Sequence, residues 1–317
     1  MKDLDRAPPG VAKFSDARHT ADGKPRASVR LTHPETLWFN TGTLCNIACT
    51  RCYIESSPTN DSLAYLERAD VEMFLDELKH RNWPVREIGF TGGEPFMNPD
   101  IIGMIRTALE RGFEVLVLTN AMRPMMRPWV QRGLLSLLPD FRDRLTLRVS
   151  VDHHSAWFHD EERGQGSFDA TLSGMKWLRN NGFRMAVAGR SLWGEDESAA
   201  RQGFDKLFKE NDFLIDAFDP GQTVIFPEMD AAADVPEITT DCWEILGKSP
   251  NSVMCASSRM VVRRKSADAP SVVACTLLPY EPEFDLGPSL ADAEREVPLN
   301  HPHCAKFCVL GGASCSA

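Results

Sequence analysis

Between residues 36 and 226, short apolar runs alternate with longer segments that have the apolar spacing of helices. Strands that alternate with helices of this length indicate parallel βαβ units, in which each helix crosses back over the sheet. Such units predict an α/β fold, either a partial (β/α)6 TIM-like barrel or an open doubly wound sheet. The predicted strands are residues 36–40, 87–90, 113–118, 145–151, 184–188 and 223–226, and the predicted helices are residues 69–81, 100–111, 129–138, 168–181 and 197–210.

The first predicted strand leads into three cysteines, Cys45, Cys49 and Cys52, in a C-x3-C-x2-C spacing. Three thiolates this close can hold one metal centre, and on a four-iron cluster they leave one iron open for a cofactor or substrate. A structural zinc site normally has a fourth Cys or His nearby, and no His lies between His33 and His80. The spacing therefore favours an iron–sulfur cluster, with a zinc knuckle or unrelated buried thiols as alternatives.

The stretch Cys45-Asn-Ile-Ala-Cys-Thr-Arg-Cys-Tyr53 resembles the signature of the radical SAM enzymes. The resemblance implies a partial barrel in which the open iron of a 4Fe–4S cluster chelates S-adenosylmethionine (SAM). An electron from the cluster then cleaves the sulfonium and gives a 5′-deoxyadenosyl radical. That family usually has an aromatic residue just before the third cysteine, where this chain has Arg51, and Tyr53 is the candidate to pack around the adenine instead.

The second predicted strand ends in Gly92-Gly93-Glu94-Pro95. Two glycines let a backbone come close to a ligand, and Glu94 adds an acceptor. A tight strand–helix turn explains the same residues without any ligand. Because the motif follows the cysteine loop, it is similar to the GGE motif of the radical SAM family, which implies that it holds the methionyl amino group of SAM.

Polar pairs follow the next two predicted strands, and both are candidates for cofactor contacts. Thr119 and Asn120 can bond locally and start a turn, and the family often has such a pair facing the cofactor. Ser150 and Asp152 lie on one face of a strand, which we expect to face the barrel interior. They resemble a strand-end pair of the family branch with auxiliary clusters, and are candidates for ribose or amino-acid contacts.

Two arginines are rival candidates for the SAM carboxylate, Arg163 and Arg190, because a guanidinium can fork onto a carboxylate. A surface salt bridge is the alternative for Arg190. Adjacent residues of a strand point apart, so we expect His153 and His154 not to share a metal. Ser167 is predicted to cap the helix that follows it.

Six of the nine cysteines lie after residue 229. Their layout, with a predicted hairpin from residues 259–264 and 271–274, resembles the SPASM or twitch extensions of radical SAM enzymes. The resemblance implies one auxiliary 4Fe–4S cluster, with a zinc site or free thiols as alternatives, and Cys242 is left out of the ligand set. The predicted ligands are Cys255, Cys275, Cys304, Cys308 and Cys315.

These features predict three regions: an irregular arm over residues 1–34, the radical SAM partial barrel over 35–229, and a small cysteine-rich auxiliary-cluster domain over 230–317. We expect no separate peptide-binding domain, since the arm is too short for one. The net charge of −10 argues against a nucleic-acid or anionic-membrane partner. No apolar run approaches the length of a membrane span, which together with cysteines used as metal ligands predicts a cytoplasmic protein.

The predicted function is that of a radical SAM enzyme that modifies a small molecule or a peptide by hydrogen abstraction or group transfer. It needs a reductant such as flavodoxin or ferredoxin. The alternatives are a maturase of ribosomal peptides within the same superfamily, a non-catalytic iron–sulfur electron carrier, and a zinc-stabilised scaffold.

Overall fold

The computed structural model describes residues 12–228, 230 and 232–312. In these ranges the strands are β1 (Ser28–Val29), β2 (Thr36–Asn40), β3 (Glu87–Thr91), β4 (Glu114–Thr119), β5 (Leu145–Ser150), β6 (Arg184–Ser191), β7 (Thr223–Pro227), β8 (Ser258–Val262), β9 (Ser271–Val273), β10 (Asp285–Gly287) and β11 (Val297–Pro298). The helices are α1 (Arg68–Arg81), α2 (Ile101–Glu110), α3 (Pro128–Leu135), α4 (Leu138–Phe141), α5 (Ala156–Arg163), α6 (Ser167–Asn180), α7 (Glu197–Glu210) and α8 (Cys242–Leu246).

Strands β2 to β7 are parallel, and each pairs with the next strand along the chain. A doubly wound sheet reverses its strand order at a switch point, whereas sequential neighbours without a reversal are typical of a barrel. The predicted partial (β/α)6 barrel is therefore confirmed. The carboxyl ends of these strands meet at one edge, which is where the candidate site residues lie.

The predicted hairpin is confirmed as β8 and β9, which pair antiparallel. Strand β8 also pairs parallel with β2, so the C-terminal segment extends the sheet of the barrel. Strand β1 of the N-terminal arm pairs with β11, close to the chain's C-terminal cysteines. The division into three regions at residues 34 and 229 stays a prediction.

Strand β2 is buried along its whole length between β3 and β8. Trp38 and Phe39 are fully buried, and the Phe39 ring stacks on Phe90 of β3 with a centroid distance of 5.8 Å. This apolar packing fixes the strand that enters the three-cysteine loop. Within the described residues, no helix has the length and apolar character needed to cross a bilayer.

Helix α5 was not predicted from the sequence, and it changes the role expected of Ser167. The carboxylate of Asp160, on α5, accepts hydrogen bonds from the Gly166 and Phe168 amides at 2.7 and 2.8 Å and from the Ser167 hydroxyl at 2.9 Å. Ser167 is itself the first residue of α6 and makes no capping bond to the helix. The prediction that Ser167 caps this helix was wrong, because Asp160 satisfies the free amides.

Candidate functional site

The three-cysteine loop lies at the carboxyl end of β2, and all three cysteines line one open cavity with an empty volume of ≈ 930 Å³. Cys45 is buried, while Cys49 and Cys52 are half-buried. Main-chain hydrogen bonds fix the loop, including those from the Cys45 amide to the Ser57 carbonyl at 3.0 Å and from the Glu94 amide to the Leu44 carbonyl at 3.1 Å. The cysteines are therefore held on a rigid backbone that opens to a cavity.

Nine of the eleven residues predicted to bind the cofactor line the same cavity. They come from five successive strand ends, as parallel strands that share one edge require. The nine are Tyr53, Gly92, Gly93, Thr119, Asn120, Ser150, Asp152, Arg163 and Arg190.

Gly92 and Gly93 allow the second strand end to pack against the cysteine loop. A Cβ atom on Gly92 would lie 2.5 Å from the Gly42 carbonyl oxygen, and one on Gly93 would lie 2.3 Å from the Leu44 carbonyl oxygen. Both contacts are with backbone, so a side chain at either position would displace the cysteine loop. The glycines are needed for the geometry of the cysteines as well as for access to the cavity.

Glu94 and Pro95 lie behind the cavity wall and are buried. The Glu94 carboxylate accepts hydrogen bonds from the Thr119 hydroxyl at 2.9 Å and from the amides of Asn120 at 2.8 Å and Phe96 at 3.2 Å. Burial raises the pKa of Glu94 to about 7, and these hydrogen bonds oppose the rise. Glu94 thus holds the Thr119–Asn120 turn in place, and its direct contact with a cofactor stays a prediction.

The Thr119–Asn120 turn reaches the cysteine loop directly. The side-chain nitrogen of Asn120, Nδ2, donates to the side-chain oxygen of Asn46 at 2.9 Å and lies 3.9 Å from the Cys45 sulfur. Through Glu94, Thr119 and Asn120, the ends of β3 and β4 are therefore linked to the loop that carries the cysteines.

Asp152 and Arg163 form a buried pair beside the cysteines. The guanidinium donates to the two carboxylate oxygens at 2.7 and 3.0 Å, which is the bidentate geometry of a strong ion pair. Burial raises the pKa of Cys49, whereas the charge of Arg163 lowers it. Because Asp152 already occupies two donors of Arg163, the structure gives this arginine a partner other than the predicted SAM carboxylate.

Arg190 also has a protein partner, which the sequence did not indicate. It donates to the Glu162 carboxylate and to the Arg51 carbonyl, both at 3.2 Å. Glu162 is 1% exposed and forms a second ion pair with the Arg51 side chain. The arginine in the unusual position before Cys52 is thus tied to α5. Glu162 was missed because it lies in a run of acidic residues that is typical of a solvated helix face.

Cys45 and Cys304 are poor nucleophiles unless a metal takes their protons. Burial raises the pKa of Cys45 to about 12 and that of Cys304 to about 12, so both are neutral thiols at neutral pH. A reactive cysteine has a lowered pKa, whereas a metal ligand is deprotonated by the metal itself. These environments argue against nucleophilic catalysis by the two thiols.

Four of the predicted auxiliary-cluster ligands line a second cavity, with an empty volume of ≈ 310 Å³. Its other walls are apolar except for His303. Cys242 does not line this cavity and interacts with Thr239. The four cysteines are Cys255, Cys275, Cys304 and Cys308. Four thiolates complete the shell of a four-iron cluster, and the fifth predicted ligand, Cys315, lies outside the described residues.

The spacing of the sulfurs bears on the alternative of a single zinc ion. Among the described residues, one group of three metal-ligating side chains has its ligand atoms within 4.8 Å of one another, and it contains no cysteine. Sulfurs around one tetrahedral zinc ion would be about 3.8 Å apart, given a Zn–S distance of about 2.3 Å. In neither cysteine set do three sulfurs of the described residues lie within 4.8 Å of one another, which is wider than a single zinc ion requires.

The group of three metal-ligating side chains that lie within 4.8 Å of one another consists of His153, His154 and Glu195. The imidazole rings are 4.1 Å apart, and each Nε2 lies 3.2 Å from a Glu195 oxygen, so the expectation that the two histidines point apart was wrong. Both residues follow the end of β5, where strand alternation no longer applies. The Ser155 amide donates to Nδ1 of His153 at 2.9 Å, so the ring proton is on Nε2 and no lone pair there faces a metal. The group joins the end of β5 to the loop between β6 and α7.

Residues 39–194 match the sequence profile of the radical SAM superfamily. The subtilosin biosynthesis protein AlbA of Bacillus subtilis is 29% identical over 194 residues, which are 59% of this chain and 41% of AlbA. Mycofactocin maturase MftC of Mycolicibacterium smegmatis is 30% identical over 139 residues, 44% of this chain and 33% of MftC. An AdoMet-dependent heme synthase of Methanosarcina barkeri is 30% identical over 150 residues, 45% of this chain and 38% of the synthase. The chain thus spans less than half the length of each of these relatives.

Two solved structures have a similar fold. SuiB of Streptococcus suis bound to S-adenosylmethionine superposes with a TM-score of 0.58 at 12% identity, covering 81% of this chain and 63% of SuiB. The enzyme anSMEcpe with bound AdoMet superposes with a TM-score of 0.56 at 14% identity, covering 82% of this chain and 77% of anSMEcpe. At these identities the likeness shows a shared fold, and the cysteine-rich C-terminal region fits the SPASM-like branch.

Proposed function

The chain carries a radical SAM domain, whose family uses a 4Fe–4S cluster and S-adenosylmethionine, and from that premise we propose that it is a radical SAM enzyme. It reductively cleaves SAM and modifies a peptide or a small molecule by hydrogen abstraction or group transfer. The observation that carries the proposal is that Cys45, Cys49 and Cys52 share one open cavity with five further strand ends. Three thiolates leave one iron of a bound cluster open to that cavity.

Different residues around the cavity would bind different parts of SAM. Gly92, Gly93, Thr119 and Ser150 line the cavity, which supports contacts between these residues and the amino acid and ribose parts of SAM. The apolar walls contributed by Ile47, Ile54, Leu118, Ala188 and Phe226 suit the adenine ring and exclude water. Asp152, Arg163 and Arg190 orient this wall through their ion pairs and meet the cofactor with their remaining polar atoms.

An auxiliary 4Fe–4S cluster on Cys255, Cys275, Cys304 and Cys308 is the second part of the proposal. A buried cavity walled by four thiols and apolar side chains supports it. Such a cluster accepts or passes on single electrons when bound. The enzyme then also needs a reductant, for which flavodoxin or ferredoxin is the candidate.

The relatives of this chain support two substrate classes, peptides and small molecules. The names of AlbA and MftC describe a bacteriocin biosynthesis protein and a maturase, and SuiB has been solved with a precursor peptide. A heme synthase among the relatives supports a small molecule equally. The acidic net charge of −10 supports the absence of a nucleic-acid partner, and metal-ligating thiols support a reducing, cytoplasmic location.

The test is anaerobic incubation of the reconstituted protein with SAM and dithionite. We expect 5′-deoxyadenosine for hydrogen abstraction, or methylthioadenosine for group transfer, and neither product from a variant with Cys45, Cys49 and Cys52 changed to Ala. A protein that binds iron but leaves SAM intact would instead be an electron carrier. Zinc in place of iron and sulfide would identify a structural scaffold.

Iron counting tests the auxiliary cluster separately. Changing Cys275 or Cys304 to Ala should remove about four irons per chain and leave the first cluster in place, since each thiolate holds one corner of the cluster. Cys242→Ala is the matched control and should retain all the iron. Equal iron in all three variants would refute the auxiliary cluster.

A further inference from the structure

Arg259 is a fully buried cation whose hydrogen-bond partners are all uncharged. Its side chain is 1% exposed and donates to main-chain carbonyls of Ala293 at 2.9 Å, Cys255 at 2.6 Å and Ser258 at 2.8 Å. A longer bond of 3.4 Å goes to the Arg295 carbonyl. Among the described residues, no carboxylate forms an ion pair with this guanidinium.

Two other arginines with largely buried side chains are neutralised by a carboxylate. Arg163 pairs with Asp152, and Arg26 pairs with Glu237 at 2.5 Å. Burying a guanidinium removes it from water at a high cost, and carbonyl dipoles offset this cost only in part, so a buried cation normally has an anion beside it. Arg259 therefore lacks the counter-charge that its burial calls for.

Arg259 adjoins two of the cysteines that line the second cavity, Cys255 and Cys275. It lies four residues after Cys255, at the start of β8, and its guanidinium donates to the Cys255 carbonyl. The adjacent strand β9 ends two residues before Cys275. The fold therefore buries this unpaired cation next to the segments that carry two of the proposed cluster ligands.

We infer that Arg259 balances the charge of an anionic iron–sulfur centre on Cys255, Cys275, Cys304 and Cys308 and raises its reduction potential. The inference rests on the auxiliary cluster of the proposed function. Four thiolates outweigh the positive charge of the cluster core, so the centre is an anion, and one-electron reduction adds a further negative charge. A fixed cation nearby stabilises the reduced form more than the oxidised form, which makes reduction easier.

The test compares Arg259→Gln and Arg259→Lys in a full-length chain in which Cys45, Cys49 and Cys52 are changed to Ala, so that one cluster remains. Each protein is reconstituted anaerobically, its iron and sulfide are counted, and the cluster is titrated with dithionite while its EPR signal is followed. Arg264→Gln is the matched control, because Arg264 follows the same strand but is paired with Asp285 at 2.6 Å.

We expect Arg259→Gln to titrate at a more negative potential than the parent, while Arg259→Lys and Arg264→Gln stay near the parent value. If Arg259→Gln loses its iron, retention of the cluster and its potential by Arg259→Lys still supports a role for the charge. An unchanged potential in Arg259→Gln overturns the inference. Equal loss of iron from the Gln and Lys variants also overturns the inference, because it would show that the guanidinium hydrogen bonds, and not the positive charge, are needed to keep the cluster. A parent protein that binds no iron would refute the auxiliary cluster itself.

Discussion

Two carboxylates near the site, Glu94 and Asp160, act on the backbone of neighbouring turns. Each accepts hydrogen bonds from two main-chain amides and one hydroxyl group. A carboxylate with several donors fixes the turn that supplies them. The donors to Glu94 are buried, and leaving any of them without an acceptor would cost about 1–3 kcal/mol. At the scale of single residues, the cavity is therefore shaped by groups that do not face it.

Gly93 offers the sharpest steric test of the contact between the second strand end and the cysteine loop. Gly93→Ala should lower the free energy of unfolding by about 1–3 kcal/mol, because the new Cβ would lie against the Leu44 backbone. It should also reduce the iron held by the first cluster. Denaturant unfolding and iron counting measure both effects. Gly103→Ala in α2 is the control, since its nearest neighbour is the flexible Arg68 side chain at 3.2 Å. Equal stability of the two variants would contradict the packing argument.

His159 predicts a pH dependence of stability. The residue is fully buried, and neither ring nitrogen has a hydrogen-bond partner among the described residues. Burial lowers its pKa from 6.5 to about 4, so the unfolded chain binds a proton more readily than the folded one. The stability present above pH 6.5 is then lost as the pH falls towards 4, by about 2 kcal/mol between pH 7.5 and 5.

His159→Phe should remove that contribution and leave stability at pH 7.5 unchanged or higher, because the ring packs edge-on against Phe168. Urea unfolding at the two pH values measures it. His80→Phe, at an exposed position of α1, is the control. A wild-type profile that His159→Phe does not flatten would contradict the assignment.

At the scale of elements, the loop between β6 and α7 is attached to side chains of the segment that follows β5 and of α5. Glu195 contacts His153 and His154, and the Trp193 ring nitrogen donates to Glu161 at 3.0 Å. The Trp193 ring also packs against His153 with a centroid distance of 4.9 Å. The loop is thus attached at two points beside the cavity.

Glu195→Ala should release this loop, because both histidine contacts are lost. We expect faster hydrogen exchange in residues 191–195. The exchange is carried out on the intact protein, which is then digested for mass spectrometry. Glu197→Ala, two residues further on and exposed, should leave the exchange of the loop as it is in the wild type. Identical exchange in both variants would mean that the histidines do not hold the loop.

At the scale of the whole molecule, the C-terminal segment completes the sheet that carries the first site. Strand β8 covers the edge of β2, whose side chains are all buried. Unpaired edges with buried apolar residues expose hydrogen-bonding groups and promote aggregation. The barrel and the cysteine-rich segment are therefore structurally dependent on each other.

A chain ended at residue 229 tests this dependence and the predicted domain boundary together. We expect the fragment to aggregate or unfold without cooperativity, and co-expression of residues 230–317 to rescue it in part. Light scattering and thermal unfolding are the measurements. A monomeric fragment with a sharp unfolding transition would instead support two independent domains.

The barrel and most of the first site could be predicted from local sequence patterns. Apolar runs that alternate with helical spacing define βαβ units, and the carboxyl ends of parallel strands must lie at one edge. For that reason alone, Cys45, Gly93, Asn120 and Asp152, which each follow a strand, could be expected to meet. The hairpin of β8 and β9 was predictable in the same way from its local pattern.

The packing of distant segments against one another could not be predicted in this way. Sequence spacing does not specify that β8 pairs with β2. Nor does it specify that Glu162 forms ion pairs with Arg51 and Arg190, which follow other strands. An acidic residue on a helix is solvated unless another element covers it, and here the cysteine loop covers α5. In the sequence, Arg259 is likewise an ordinary strand residue. Its burial near two cysteines, without an ion pair to a carboxylate of the described residues, is a property of the fold. Burial and charge balance depend on all neighbours at once, and these are set by the packed molecule.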